Sequence, residues 1–452
     1  MKRSIIYSLI LMTSVFFLQS GNAQNPIITH IYAADPSAHV WPNDTSTLWL
    51  YSSHDTPGTN HHATMFDYHV FSTNDGVNWT DHGRVLSVDD VSWAVDYAWA
   101  IDAVYRHGKY YLIFCMHELE TGMFRTGIAV SDVPQGPFKD IGFIKGVEWG
   151  QDPAVFTDND NRVYLYWGSG GSCMAAELND DLLSIKPETK VNLSKQLFEV
   201  FEGPWVHKYR GKYYLSYPAL PKGNWPEEMY YAVADNPLGP YVFKGNYIPK
   251  FQGQAGTNHG SIVKFRGKWI AFHHSAMVSK GKSEVRSLMA DWLYYNPDGT
   301  IKTIVPGPSG ISNGKPTQCR IFLEAENGVP AGGKLAGTQI ESSLNGFSGK
   351  GYVSGFDKRY DYIQVLAQVG EDMKVRLKVR LSADQNFAAD VLIWPNMLDG
   401  WSGTKIRKTT GWETIDLGEV QLHRGDNSIR INSHQNVNLK IDHFILEPLT
   451  NN

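Results

Sequence analysis

The apolar positions of this chain fall in short runs separated by tight polar turns. Residues 201–217 show the pattern clearly: an apolar strand around Trp205 and Val206, an Arg210-Gly211-Lys212 turn, then Tyr213-Tyr214-Leu215-Ser216-Tyr217. Strand, tight turn, strand is a β-hairpin signature, and aromatic side chains suit a half-buried pleated surface. The phrase recurs at 106–114, 160–167 and 265–272, with a weaker copy at 44–51. About five copies at a spacing of roughly 50 to 60 residues is the period of propeller blades, small sheets that protect their edges by ringing together. The pattern predicts an all-β chain in which residues 25–311 form a five-bladed β-propeller, with the segment after Arg286 as its closing piece.

Residues 312–320, following the run Pro306-Gly307-Pro308-Ser309-Gly310, read as a linker. Beyond it the aromatic phrase stops. Alternating strands such as Lys374-Val375-Arg376-Leu377-Lys378-Val379 and Ser428-Ile429-Arg430-Ile431 predict a jelly-roll-like β-sandwich over residues 321–449. At the other end, Met1-Lys2-Arg3, an apolar core from Ile5 to Leu18 and the small residues Gly21-Asn22-Ala23 mark residues 1–23 as a secretory signal peptide. The expected location is secreted or periplasmic. The apolar run is too short for a membrane span, and no other stretch approaches that length.

Charge and cysteine content narrow the classes. A formal net charge of −5 argues against nucleic acid as partner. Aromatic content of 13% is enough for propeller cores and sugar-stacking sites alike. Cys115, Cys173 and Cys319 are odd in number and widely spaced, with no metal-type pairing, so no essential disulfide is expected. The oligomeric state is not legible.

Upstream of the aromatic strands lie Asp35 in Ala34-Asp35-Pro36, Asp152 in Gln151-Asp152-Pro153, Glu202 in Glu202-Gly203-Pro204, and His259 in Asn258-His259-Gly260. If each upstream strand is innermost, these side chains converge on the axis. One Asp before Pro reads as a turn cap. Three carboxylates and a histidine at one point would repel and desolvate one another, which is a functional signature. Asp102 falls out of that register and reads as structural. Glycoside hydrolysis is the chemistry that uses carboxylates across a cleft: one protonates the leaving oxygen, another activates water or attacks the anomeric carbon. Trp99 is a candidate sugar platform or a core tryptophan. His54 and Trp225 sit on loops expected to border the pocket; the His-rich loop around His54 also reads as metal-binding or simply solvated. Gly168-Ser169-Gly170-Gly171-Ser172 lacks the lysine and helix of a phosphate loop and reads as a turn.

At these residues the sequence resembles glycoside hydrolase family 43. The matching pieces are Ala34-Asp35-Pro36, Trp99-Ala100, Asp152-Pro153-Ala154-Val155-Phe156, Glu202-Gly203-Pro204, His259-Gly260-Ser261, and Arg286 before Asp298-Gly299-Thr300-Ile301. Leu50-Tyr51-Ser52-Ser53-His54-Asp55 and Asn78-Trp79-Thr80-Asp81-His82-Gly83 look most like the arabinoxylan arabinofuranohydrolase branch. The resemblance implies an inverting exo-glycosidase that removes α-L-arabinofuranosyl units from plant cell-wall polysaccharide or oligosaccharide. It makes Asp35 the general base, Glu202 the general acid and Asp152 the tuner of Glu202. His259 would hold a water or a cation, and Arg286 would bind substrate or pair with Asp152. No organic cofactor is implied. A β-xylosidase or galactosidase on the same frame is the nearest alternative, and a non-catalytic glycan-binding protein the alternative of another class.

The tail resembles carbohydrate-binding modules of family 6 through Leu323-Glu324-Ala325-Glu326, Gly351-Tyr352-Val353, Gly411-Trp412-Glu413 and Lys440-Ile441-Asp442-His443-Phe444. That resemblance implies a structural calcium on Glu324, Glu326 and Asp442, and a glycan site near Trp401, Asn436 or Asn438.

Overall fold

The computed structural model describes residues 25–449 except 57–61, 63, 312–317, 331–337, 357–360, 371, 395–400 and 435–436. The expected signal peptide, and Asn436, lie outside the described residues. The described residues are all-β, with only single 3-10 turns between strands among them.

Five consecutive sheets make up the N-terminal part. The first holds β1 (Ala33–Trp41), β2 (Asp44–His54), β3 (Asp67–Thr73) and β4 (Asn78–Ser87). The second holds β5 (Ala94–Arg106), β6 (Lys109–Glu118), β7 (Phe124–Ser131) and β8 (Lys139–Phe143). The third holds β9 (Ala154–Thr157), β10 (Val163–Trp167), β11 (Met174–Glu177) and β12 (Val191–Asn192). The fourth holds β13 (Trp205–Tyr209), β14 (Lys212–Ala219), β15 (Glu228–Ala234) and β16 (Val242–Ile248). The fifth holds β17 (Ser261–Phe265), β18 (Lys268–Ser275) and β19 (Ser287–Leu293). The leading strand of each sheet packs on that of the next, and β17 packs back on β1, so the leading strands form a closed ring.

The repeated hairpin phrase has a direct backbone cause. Arg106 pairs with Lys109, Tyr209 with Lys212, and Phe265 with Lys268, leaving two-residue turns at His107-Gly108, Arg210-Gly211 and Arg266-Gly267. Both turn residues have positive φ in all three, from 47° to 80°. That matches the right-handed twist of the flanking strands and explains the glycine in the second place.

The N-terminal segment completes the fifth sheet along β19, the strand that follows Arg286, so both stretches take part in closure. Ile27 N–H donates to Leu288 O of β19 at 2.8 Å, and Ala290 N–H donates to the Asn25 side chain at 2.9 Å. The Asn25 amide also donates to Asp291 at 3.2 Å. Sequence pattern missed the N-terminal part because it is a short segment held on β19 by one backbone bond, the Asn25 side chain and buried Ile27 and Ile28, with no aromatic phrase of its own.

The tail is two sheets facing each other over one apolar core that includes Leu377, Val379, Ile429, Ile431, Phe444 and Leu446. Met373–Ala383 buries every second residue, as its sequence alternation requires. The expected linker is shorter than 312–320: β20 (Gln318–Glu324) begins inside it. β20 pairs in parallel with β4, Gln318 opposite Asn78 and Ile321 opposite Asp81, and on its other edge pairs antiparallel with Leu439–Pro448. The first sheet therefore runs on into the tail. Cys115, Cys173 and Cys319 are free and buried.

Candidate active site

Asp35, Asp152 and Gly203 each precede a proline at the entry to a leading strand, and share one backbone state, with φ of +53°, +49° and +54°. A residue before proline prefers extended backbone, and non-glycine residues rarely adopt this conformation. Strain of this kind persists only where surrounding structure holds it, and clusters at functional sites. Glu202 stands one residue before the equivalent position, with Gly203 absorbing the turn.

These residues open on one cavity of about 390 Å³. Its walls include Asp35, Asp152, Glu202, His259 and Arg286, with Trp99, Phe124, Phe201 and Trp225 as aromatic lining. The expected convergence of carboxylates from separate sheets is thus present. Trp99 is anchored by donating its indole N–H to His62 O at 3.2 Å. Trp225 is half-exposed at the rim and meets Phe201 edge-on at 5.5 Å between centroids.

Asp35 is buried against cations and donors. Arg286 Nη1 donates to it at 2.9 Å, and the Ser53 hydroxyl donates to its other oxygen. The Asp35 backbone N–H donates to His274 Nδ1 at 3.3 Å, so the His274 proton sits on Nε2, which faces Thr257 O at 2.9 Å. Burial would raise the Asp35 carboxyl, but Arg286, His259, His274 and Ser53 outweigh it and hold it well below the ordinary range. His259 Nδ1 lies 3.8 Å from Asp35. Burial lowers the His259 imidazole, leaving it neutral near pH 7.

Arg286 pairs with Asp55, not with Asp152. Its Nε and Nη2 donate to the two Asp55 oxygens at 2.9 and 2.8 Å, a bidentate grip that aims Nη1 at Asp35. Asp55 was not singled out as a site residue, although it stands in the Ser53-His54-Asp55 motif.

Asp152 and Glu202 behave oppositely to Asp35. Burial, with Asp35 as the nearby like charge, pushes Glu202 up to about 7. Burial, then Glu202 and Asp35, pushes Asp152 well up too. Charge on Glu202 opposes ionisation of Asp152, so the two protonations are linked. Geometry separates their roles: Asp152 is 4% exposed and accepts the Gly203 N–H at 3.2 Å, whereas Glu202 is only partly buried and meets Ser169 Oγ at 3.2 Å. Ser169 lies in the Gly-Ser stretch read from sequence as a plain turn. Glu227 was also missed. It is fully buried, accepts the Asn258 N–H at 2.6 Å, and is pushed well up by burial and by Glu202.

His54 does not line the cavity. Its Nδ1 faces Asp67 at 2.7 Å and its ring packs on His69. Asp102 is structural as read: it accepts from Ser37 and from the Val155 N–H, both at 2.6 Å, tying leading strands together.

In the tail, Glu324, Glu326 and Asp442 surround Ser348 and Gly349. Ser348 donates to Glu324 at 2.8 Å and to Asp442 at 2.9 Å, and the Lys350 N–H donates to Glu326 at 2.7 Å. Burial and neighbouring Glu326 push Glu324 up to about 8, and Glu326 Oε2 is buried with no partner among the described residues. These donors fit a hard cation. Arg380 already occupies one Asp442 oxygen. Trp401 lies in a strand whose side-chain placement is outside the described residues. Asn438 is tied to Lys440 at 2.6 Å.

An ionised carboxylate held by arginine, facing a protonated carboxyl across an aromatic-lined pocket, defines a glycoside hydrolase site. The comparisons agree: the model of glycosyl hydrolases family 43 matches residues 23–301. The chain belongs to that family and is a glycoside hydrolase. A relative from Humicola insolens, named xylosidase/arabinosidase 43A, is 37% identical over 62% of this chain and 99% of its own length. A solved family 43 β-xylosidase/α-arabinofuranosidase from a compost microbial metagenome, bound to xylotriose in a calcium-free form, is 36% identical. It covers 63% of this chain and 98% of its own, with a TM-score of 0.57. An arabinoxylan arabinofuranohydrolase from Bacillus subtilis, 24% identical, matches in fold over 95% of this chain and 98% of its own, also with a TM-score of 0.57.

Proposed function

We propose that the protein is an exo-acting, inverting glycosidase that releases terminal pentosyl units, α-L-arabinofuranosyl or β-xylosyl, from arabinoxylan and its oligosaccharides. The observation carrying this reading is the division of protonation between Asp35 and Glu202. Asp35 is ionised at every working pH and is the base for water. Glu202 opens into the cavity with a proton to give and is the acid. Burial and the charge on Asp35 keep that proton in place, and Asp152, buried beneath, takes the Gly203 N–H and so orients the Glu202 segment. Trp99, Phe124 and Trp225 suit the C–H faces of a sugar. The xylosyl specificity enters beside the arabinosyl one because relatives above 35% identity carry both names.

The five sheets act as propeller blades; the ring of leading strands supports this. The leader 1–23 directs export. The tail is a carbohydrate-binding module with calcium on Glu324, Glu326 and Asp442. Proton NMR of the first product formed from p-nitrophenyl α-L-arabinofuranoside and β-xyloside tests specificity and stereochemistry together. Inverted anomers from one or both are expected. Retained configuration would sink the assignment of Asp35 as base.

A further inference from the structure

A second constellation of ligating side chains lies outside the cavity, on the first sheet. β2 and β3 are antiparallel, Ser53 opposite Tyr68, which sets His54 across from Asp67. Strand alternation then puts His69 on the Asp67 face. The result is one ligating atom each from His54, Asp67 and His69, all within 4.8 Å of one another. His54 and His69 are 5% and 3% exposed, with ring centroids 4.9 Å apart.

We propose that His54, Asp67 and His69 bind a divalent transition metal of the zinc class. Two imidazoles and one carboxylate are a borderline-soft donor set, unlike the all-oxygen sets of calcium or magnesium. Three protein ligands leave a fourth position for water. The support around them is that of a metal site. His69 Nδ1 faces Asp81 Oδ1 at 3.3 Å, and its Nε2 is buried with no hydrogen-bond partner among the described residues. A ligating histidine usually gives its other ring nitrogen to a carboxylate, as here. Asp81 is itself anchored by His30 Nε2 at 2.7 Å. Asp67 and Asp81 together balance a 2+ ion in a buried place. Zinc bonds of about 2 Å put tetrahedral donors about 3.3 Å apart, so His54 Nδ1 and Asp67, now 2.7 Å apart, open slightly as their hydrogen bond is exchanged for two metal bonds, and His69 closes on them from within 4.8 Å.

The site is separate from the chemistry but not remote from it. His54 adjoins Asp55, the residue that grips Arg286 and so aims it at Asp35. A bound ion would pin the end of β2 and steady that grip.

The test uses the full chain carrying Glu324→Gln, which removes the other metal-capable cluster among the described residues, Glu324, Asp442 and His443. The chelator-stripped protein is titrated with Zn²⁺ alone by calorimetry and with Co²⁺ by visible absorption. One zinc per chain is expected, with the intense d–d bands of four-coordinate cobalt. Asp67→Asn and His69→Gln should each weaken binding at least tenfold and erase the bands. A stripped chain that takes up no zinc overturns the proposal whether or not the variants fold. Unchanged stoichiometry, affinity and spectrum in both variants would overturn it equally.

Discussion

Asp35 and Asp152 occupy the same backbone position in different sheets, yet their carboxyls are driven in opposite directions. The difference is the neighbour: Arg286 for Asp35, Glu202 for Asp152. Activity should therefore lose nothing on mild acidification, since Asp35 stays ionised, and should fall as pH rises through about 7, where Glu202 gives up its proton. A pH profile of kcat/KM checks this; an alkaline limb unmoved by Asp152→Asn would contradict the linkage between the two carboxyls. Glu202→Gln should lose at least about a hundredfold on polymer but keep much of the rate on aryl glycosides with good leaving groups, which need little protonation. Asp35→Asn should lose both. The linkage has a sign. A carboxyl raised from 4.5 to about 7 favours the fold below its unfolded value, and that contribution is lost as pH rises to 7. Glu202→Gln should thus raise stability at pH 8 by on the order of 2 kcal/mol, seen as a higher thermal midpoint, and leave it unchanged at pH 4. Asp35, depressed, works the other way: its stabilisation is present above 3.8 and lost at lower pH.

At the scale of the element, the hairpin turns carry the fold's repeat. Gly211 has φ of +78° and open space around a would-be Cβ, so a substitution there meets backbone strain alone. Gly211→Ala should cost about 1 kcal/mol in denaturant melts, whereas Gly211→Asn, which tolerates this conformation, should cost less. Equal losses would mean that the turn type is not what selects glycine. These turns were plain in the sequence because glycine, charge and aromatic run stand together. The closing segment 25–28 was not, since it rests on one backbone bond to β19 and on contacts of the Asn25 side chain with residues about 265 positions away.

Across the whole molecule, the decisive join is β20 on β4. The tail covers an edge that the first sheet would otherwise expose, and Arg320 Nε reaches Thr80 Oγ1 at 3.0 Å. Truncation after residue 311 should lower the thermal midpoint and promote aggregation through the bared β4 edge. A truncated chain as stable and monomeric as the full one would show that the join is dispensable. Removing the proposed calcium should destabilise the tail, where Glu324 is already pushed up by burial and by the neighbouring Glu326. Calorimetry with and without chelator checks this.

The primary structure alone determined the strand–turn repeat, the alternation of the tail and the presence of carboxylates beside prolines, because these depend on residues close together in the chain. It also led to the family, through short motifs. Only the tertiary structure decided that Arg286 serves Asp35 through Asp55, that Glu202 takes Ser169, that Glu227 lies buried near the pair, and that His54 turns toward Asp67. Those partners are separated by 13 to 251 positions in the chain. Which carboxyl keeps its proton depends on burial and on charges brought from other sheets, and neither exists until the ring closes.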